Sequence, residues 1–137
     1  MATTTATITL SSSDIMDNNI SISNTATLTN QGNDTGMTKT TGVTRVTLAA
    51  TSNVVLIDTD ATTRLNAITK GKMFIQNLNA RGDGSEYVTI LMQAVVIGRL
   101  YGGDWAFFPF EGGSGQDIEL TPSTTTSTDL EYVAFYE

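Results

Sequence analysis

Along most of the chain apolar side chains alternate with polar ones, the period of two that marks strands with one buried face. From residue 20 onward Ile20, Ile22, Ala26 and Leu28 hold even positions, with a break near Asn24. Ser and Thr fill most of the odd ones, which predicts a half-buried strand. Over 43–48 the alternation resumes, with Val46 and Leu48 expected to point inward. The run Val54-Val55-Leu56-Ile57 is continuous and short, as in a strand covered on both faces. Segment 72–78 reads as a compact strand and 86–91 as another, and the loop between them, rich in Gly, Asn and Asp, predicts a hairpin. Apolar character continues over 93–100. Residues 105–110 then form a strand in which Pro109 marks an edge or an end. A short strand over 117–121 and a final one over 130–136 follow, with Leu130, Tyr132, Ala134 and Tyr136 on one face.

Between these runs the chain is punctuated by turn formers, at 30–36, 58–63, 79–85, 111–116 and 122–128. Segment 64–68 has the makings of one helical turn. Residues 1–13 are Thr-rich, with Ile8 and Leu10 at alternate positions, and read either as a mobile arm or as an edge strand docking onto something. No fixed-period repeat, Pro-rich linker or charge block divides the remainder. The expected architecture is all-β: an extended N-terminal arm over 1–13, then a single β-sandwich or jelly-roll-like domain over 14–137, of about eight short strands.

Composition sharpens the chemistry more than the fold. The 137 residues include neither Cys nor His. Disulfides, thiolate nucleophiles and Cys-type zinc sites therefore drop out, as do the commonest general base and the commonest nitrogen ligand. Seven Lys and Arg against fourteen Asp and Glu leave a formal charge of -7, which repels phosphate backbones and anionic lipid. Neither nucleic acid nor a membrane is an expected partner. The opening residues lack the basic start and apolar core of a secretory signal, and no run approaches the roughly 20 apolar residues needed to span a bilayer.

Candidate chemistry is thin. Arg81-Gly82-Asp83 matches the tripeptide that integrins recognise, but three-residue matches are common by chance and an ordinary hairpin loop is the expected reading. Asn33, Asp34, Asp58 and Asp60 offer oxygen ligands without the spacing of a helix–loop–helix calcium loop. Glu86, Asp104, Glu111, Asp117 and Glu119 lack the fixed pairing that glycoside hydrolysis demands. Ser11, Ser12 and Ser13 would have only a Lys or a carboxylate to serve as base and read as part of a Ser and Thr arm. Lys70-Gly71-Lys72 lacks the rest of a phosphate loop and reads as a turn entering a strand. No catalytic, cofactor-binding or metal-binding residue is assigned, no cofactor is expected, and the chain is read as a non-enzyme. The informative cluster is aromatic. Tyr101, Trp105, Phe107, Phe108 and Phe110 either fill a core or anchor a subunit or sugar contact. Alternation puts Trp105 and Phe107 on one face and Phe108 and Phe110 on the other. Together with Ile8 and Leu10 of the arm, these are the candidate interface residues.

Four segments also carry a resemblance: Phe74-Ile75-Gln76-Asn77-Leu78, Tyr87-Val88-Thr89-Ile90, the stretch from Gly98-Arg99-Leu100-Tyr101-Gly102-Gly103-Asp104 to Trp105-Ala106-Phe107-Phe108-Pro109, and Leu130-Glu131-Tyr132-Val133-Ala134. Over 72–137 this order resembles the small β-sandwich virion structural proteins of tailed phages. The resemblance implies a head decoration (cement) protein, or a related capsid or tail accessory. Such a protein would be a homo-oligomer, a trimer, on the capsid exterior, bound to the major capsid protein. Its arm would reach across a neighbour, and it would reinforce the shell against internal DNA pressure. The rival expectation is a fibre or spike domain that binds glycans or a receptor through Trp105 and the loop over 81–84.

Overall fold

The computed structural model describes residues 3–14, 19–29, 35–49, 53–59, 68, 70–82, 86–113, 115–123 and 127–137. Every regular element among them is a β-strand, and the chain forms two compact units, Met1–Thr38 and Lys39–Glu137.

The first unit is a two-stranded ribbon. Strand β1 (Thr5–Ser12) pairs antiparallel with β2 (Ile20–Thr27) in unbroken register, from Thr5 opposite Thr27 to Ser12 opposite Ile20. The segment read as an arm is therefore a paired strand. The half-buried strand expected from residue 20 keeps its alternation but little of its burial: Ile22 stays 54% exposed, opposite Leu10 at 51%.

The second unit is a sandwich of two antiparallel sheets. Its strands are β3 (Lys39–Thr40), β4 (Thr44–Leu48), β5 (Val54–Ile57), β6 (Lys70–Asn77), β7 (Tyr87–Met92), β8 (Val95–Tyr101), β9 (Trp105–Glu111), β10 (Ile118–Pro122) and β11 (Thr128–Tyr136). One sheet has the order β5-β10-β7-β8. The other runs β3-β11-β6-β9, with β4 also on β11. Strands β3 and β4 lie end to end along β11: Thr40 faces Phe135 and Thr44 faces Tyr132. The three residues 41–43 thus oppose only two, a bulge closed by the Thr41 N–H donating to the Ala134 carbonyl at 3.0 Å.

The inner faces of the two sheets meet in one core. Met73 and Ile75 of β6, Leu130 and Ala134 of β11 and Phe110 of β9 come from one sheet; Ile57, Val88, Ile90, Leu100, Ile118 and Leu120 come from the other. Gly71 stands opposite Phe110. A Cβ there would lie 2.3 Å from the ring's Cζ, so the missing side chain is what gives the ring its place.

Several expectations about strands need correction. Among the described residues there are eleven strands rather than about eight. The strands at 72–78 and 86–91 do not form a hairpin, because β6 pairs with β11 and β9, whereas β7 belongs to the other sheet. Both are interior strands that need a neighbour on each side, and the loop between them crosses from sheet to sheet. The tight hairpin is β7–β8. Its turn is Gln93-Ala94, with φ of 53° and 59°, a left-handed pair that ordinarily calls for Asn or Gly. Strand β5 is an edge with Val55 47% exposed, not a strand covered on both faces. The helical turn at 64–68 falls outside the described residues except for Ile68, and residues 30–34, Asp60 and Asp83 also fall outside them.

Candidate interaction face

The outer face of the β3-β11-β6-β9 sheet collects side chains that alternation along single strands could not bring together. Across β9, β6, β11 and β4 the first row is Trp105, Gln76, Glu131 and Arg45. The next is Phe107, Phe74 and Val133, and the third is Pro109, Lys72, Phe135 and Thr40. Beyond them lie Glu111, Lys70 and Glu137.

Large apolar groups therefore occupy the middle of a face that a one-sided antiparallel sheet ordinarily gives to polar residues. Trp105, 49% exposed, stacks on Phe74 with ring centroids 6.2 Å apart at 29°. Ion pairs rim the patch: Arg45 Nε donates to Glu131 Oε2 at 2.8 Å, and Lys70 Nζ lies 3.9 Å from Glu137 Oε1. Arg45, Lys70 and Lys72 are balanced there by Glu111, Asp129, Glu131 and Glu137. The face holds only -1 of a formal -7.

The chain matches no model of a known protein family and no curated protein. What the face can do must be read from its own groups. An apolar middle inside a rim of mixed charge is the anatomy of a protein–protein contact.

Of the seven candidate interface residues, the structure gathers Trp105 and Phe107 on this face. Phe108 and Phe110 turn inward, Phe110 buried in the core and Phe108 packed against it. Tyr101 lies on the outer face of the other sheet, edge-on to Tyr87 at 5.5 Å, with the Arg99 guanidinium 4.4 Å over the Tyr87 ring. Ile8 and Leu10 belong to the ribbon. Phe74, Val133 and Phe135 were not singled out from sequence. Their signal is the complement of the inward set: if Leu130, Tyr132, Ala134 and Tyr136 face in, Val133 and Phe135 face out.

Strand β9 is positioned by a hydrogen-bonded corner. The buried Asn77 donates from Nδ2 to the Leu100 carbonyl at 3.2 Å and accepts from the Asn79 N–H at 3.0 Å. Its backbone N–H reaches the Asp104 carbonyl, and the Gly103 N–H reaches its carbonyl. Asp104 accepts from the Tyr101 N–H at 3.1 Å and is ion-paired with Arg81. Gly102 is required, since a Cβ would fall 2.2 Å from the Ala80 carbonyl oxygen. Arg81 of the integrin-like tripeptide is thus tied into this corner.

The other candidate groups have similar structural partners. Asp117 accepts from the buried Thr59, N–H at 2.9 Å and hydroxyl at 3.2 Å. Glu119 accepts from Asn53 Nδ2 at 3.0 Å. Lys70-Gly71-Lys72 lies within β6 rather than in a turn entering it. Ser12 donates to Asp14 at 3.1 Å. Among the described residues no cluster of three or more acidic side chains could hold a metal ion, and no helix is long and apolar enough to cross a membrane.

Proposed function

We propose that this chain is a non-enzymatic structural protein of a tailed-phage virion. In this reading it is a decoration (cement) protein that forms a homotrimer on the capsid exterior and binds the major capsid protein. The observation that carries the proposal is the row Phe107, Phe74 and Val133 beside the exposed Trp105, on the outer face of a sandwich sheet. Burying it removes apolar surface from water at about 25 cal/mol per Å². Its near-neutral charge lets like-charged copies approach there. The virion assignment rests on the resemblance over 72–137. Co-sedimentation with capsid shells tests it: saturable binding at a fixed ratio to the major capsid protein is expected, and a chain that stays in the supernatant overturns it.

A second reading has one observation in its favour. Trp105 presents an exposed ring beside Gln76 and Glu131, the pairing of aromatic platform and hydrogen-bonding groups that a sugar uses. Glycan-array binding abolished by Trp105→Ala would support this reading over the first.

A further inference from the structure

The ribbon of the first unit divides its side chains sharply. On one face Thr5, Thr7, Thr9 and Ser11 stand opposite Thr27, Thr25, Ser23 and Ser21, so every position is a hydroxyl. Thr7 and Thr25 bond across the strands at 2.8 Å. The other face has the rows Ala6–Ala26, Ile8–Asn24, Leu10–Ile22 and Ser12–Ile20. A two-stranded ribbon is marginal in water by itself, and this one leaves its largest apolar row half exposed.

We propose that a second copy of this chain covers that face, ribbon stacked on ribbon, antiparallel, with a two-fold axis at the Ile8–Asn24 row. Three observations select this occupant. The first is shape. Reversing one ribbon about that row sets the bulky Leu10–Ile22 row of each copy on the small Ala6–Ala26 row of the other, a match of large to small written into one sequence. The second is charge. Neither strand contains a charged residue, while the unit carries Asp14, Asp17 and Asp34 and no Lys or Arg. Parallel stacking would bring the two copies of Asp14 together. Antiparallel stacking holds them about 40 Å apart at the strand rise, far beyond a Debye length of about 8 Å. The third is the polar residue on the axis. Asn24 meets Asn24 of the partner subunit there, and each amide can donate to and accept from the other, which penalises slipped registers.

The contact is small. An eight-residue strand spans about 27 Å, and a ribbon face about 10 Å wide falls well short of the roughly 800 Å² per partner of a stable dimer. It therefore serves as a link that gains strength when several act together between larger oligomers. The contact does not depend on the capsid reading. If the sandwich face builds a trimer, ribbon pairs tie neighbouring trimers to one another.

Because the chain lacks cysteine, single cysteines report the geometry directly. Asn24→Cys and Thr25→Cys, neighbours on opposite faces of β2, are treated with a short bis-maleimide in the full-length protein at high concentration. Asn24→Cys should accumulate covalent dimer several-fold faster. Adding Ala6→Leu, which fills the pocket for the partner's Leu10, should lower that yield to the Thr25→Cys level. The reciprocal pair Ala6→Leu with Leu10→Ala should restore it. Equal yields at 24 and 25, or a reciprocal pair that fails to restore cross-linking, would overturn the proposal.

Discussion

The ribbon and the sandwich are written in the same pattern and end in different circumstances. Both alternate apolar with polar residues, and both pair antiparallel. In the sandwich each inner face is closed by the other sheet, so Met73, Ile75, Ile118 and Leu130 are fully buried. In the ribbon the corresponding row, Leu10–Ile22, stays half in water. Alternation therefore says which residues share a face, not what covers it. The outer face of the β3-β11-β6-β9 sheet repeats the lesson, since Phe107, Phe74 and Val133 are only half-buried there and Trp105 beside them is 49% exposed.

The largest expected contrast comes from truncating one apolar residue in each region. Leu130→Ala should cost about 2–5 kcal/mol of stability through lost transfer energy and a cavity, whereas Ile22→Ala in dilute protein should cost below about 1 kcal/mol. Denaturant titration of both variants checks this, and equal losses would mean that the ribbon row is as closely packed as the sandwich core. Next comes the corner that positions β9. Asn77→Ala strips partners from the Leu100 carbonyl and the Asn79 N–H, an expected loss of about 1–3 kcal/mol by the same titration. A smaller effect has the opposite sign. Ala94→Gly with Gln93→Asn supplies the residues that a left-handed two-residue turn prefers, and should stabilise the sandwich by about 1 kcal/mol, read as a raised melting temperature. Smallest is Arg81→Ala, below about 1 kcal/mol because the guanidinium is largely exposed; a larger loss would mean that the ion pair holds the corner more firmly than its hydrogen bonds do.

How much of this was legible in the sequence follows the same division. The all-β class, the inward set on the final strand, the two faces of 105–110 and the edge position of Pro109 all follow from period and from proline's missing N–H. Strand partners did not follow. Nothing in residues 72–91 says that consecutive strands lie in different sheets, because the Gly- and Asn-rich loop between them serves a crossover as readily as a hairpin. The real hairpin was hidden because Gln93 and Ala94 hold positive φ without the residues that announce it. The outer face was half legible: Trp105 and Phe107 could be paired from β9 alone, but Phe74, Val133 and Phe135 join them only through the register of β6 and β11.

If copies of the chain meet through this outer face, as proposed, the mass of the protein in solution reports it. Sedimentation equilibrium should find the native chain at a multiple of its 14.6 kDa, a trimer if the capsid reading holds. Phe107→Asp should fall to the single-chain mass with its β-sheet circular dichroism intact. A native chain that remains monomeric at high concentration, or a Phe107→Asp variant that assembles as the native chain does, would rule out assembly through this face.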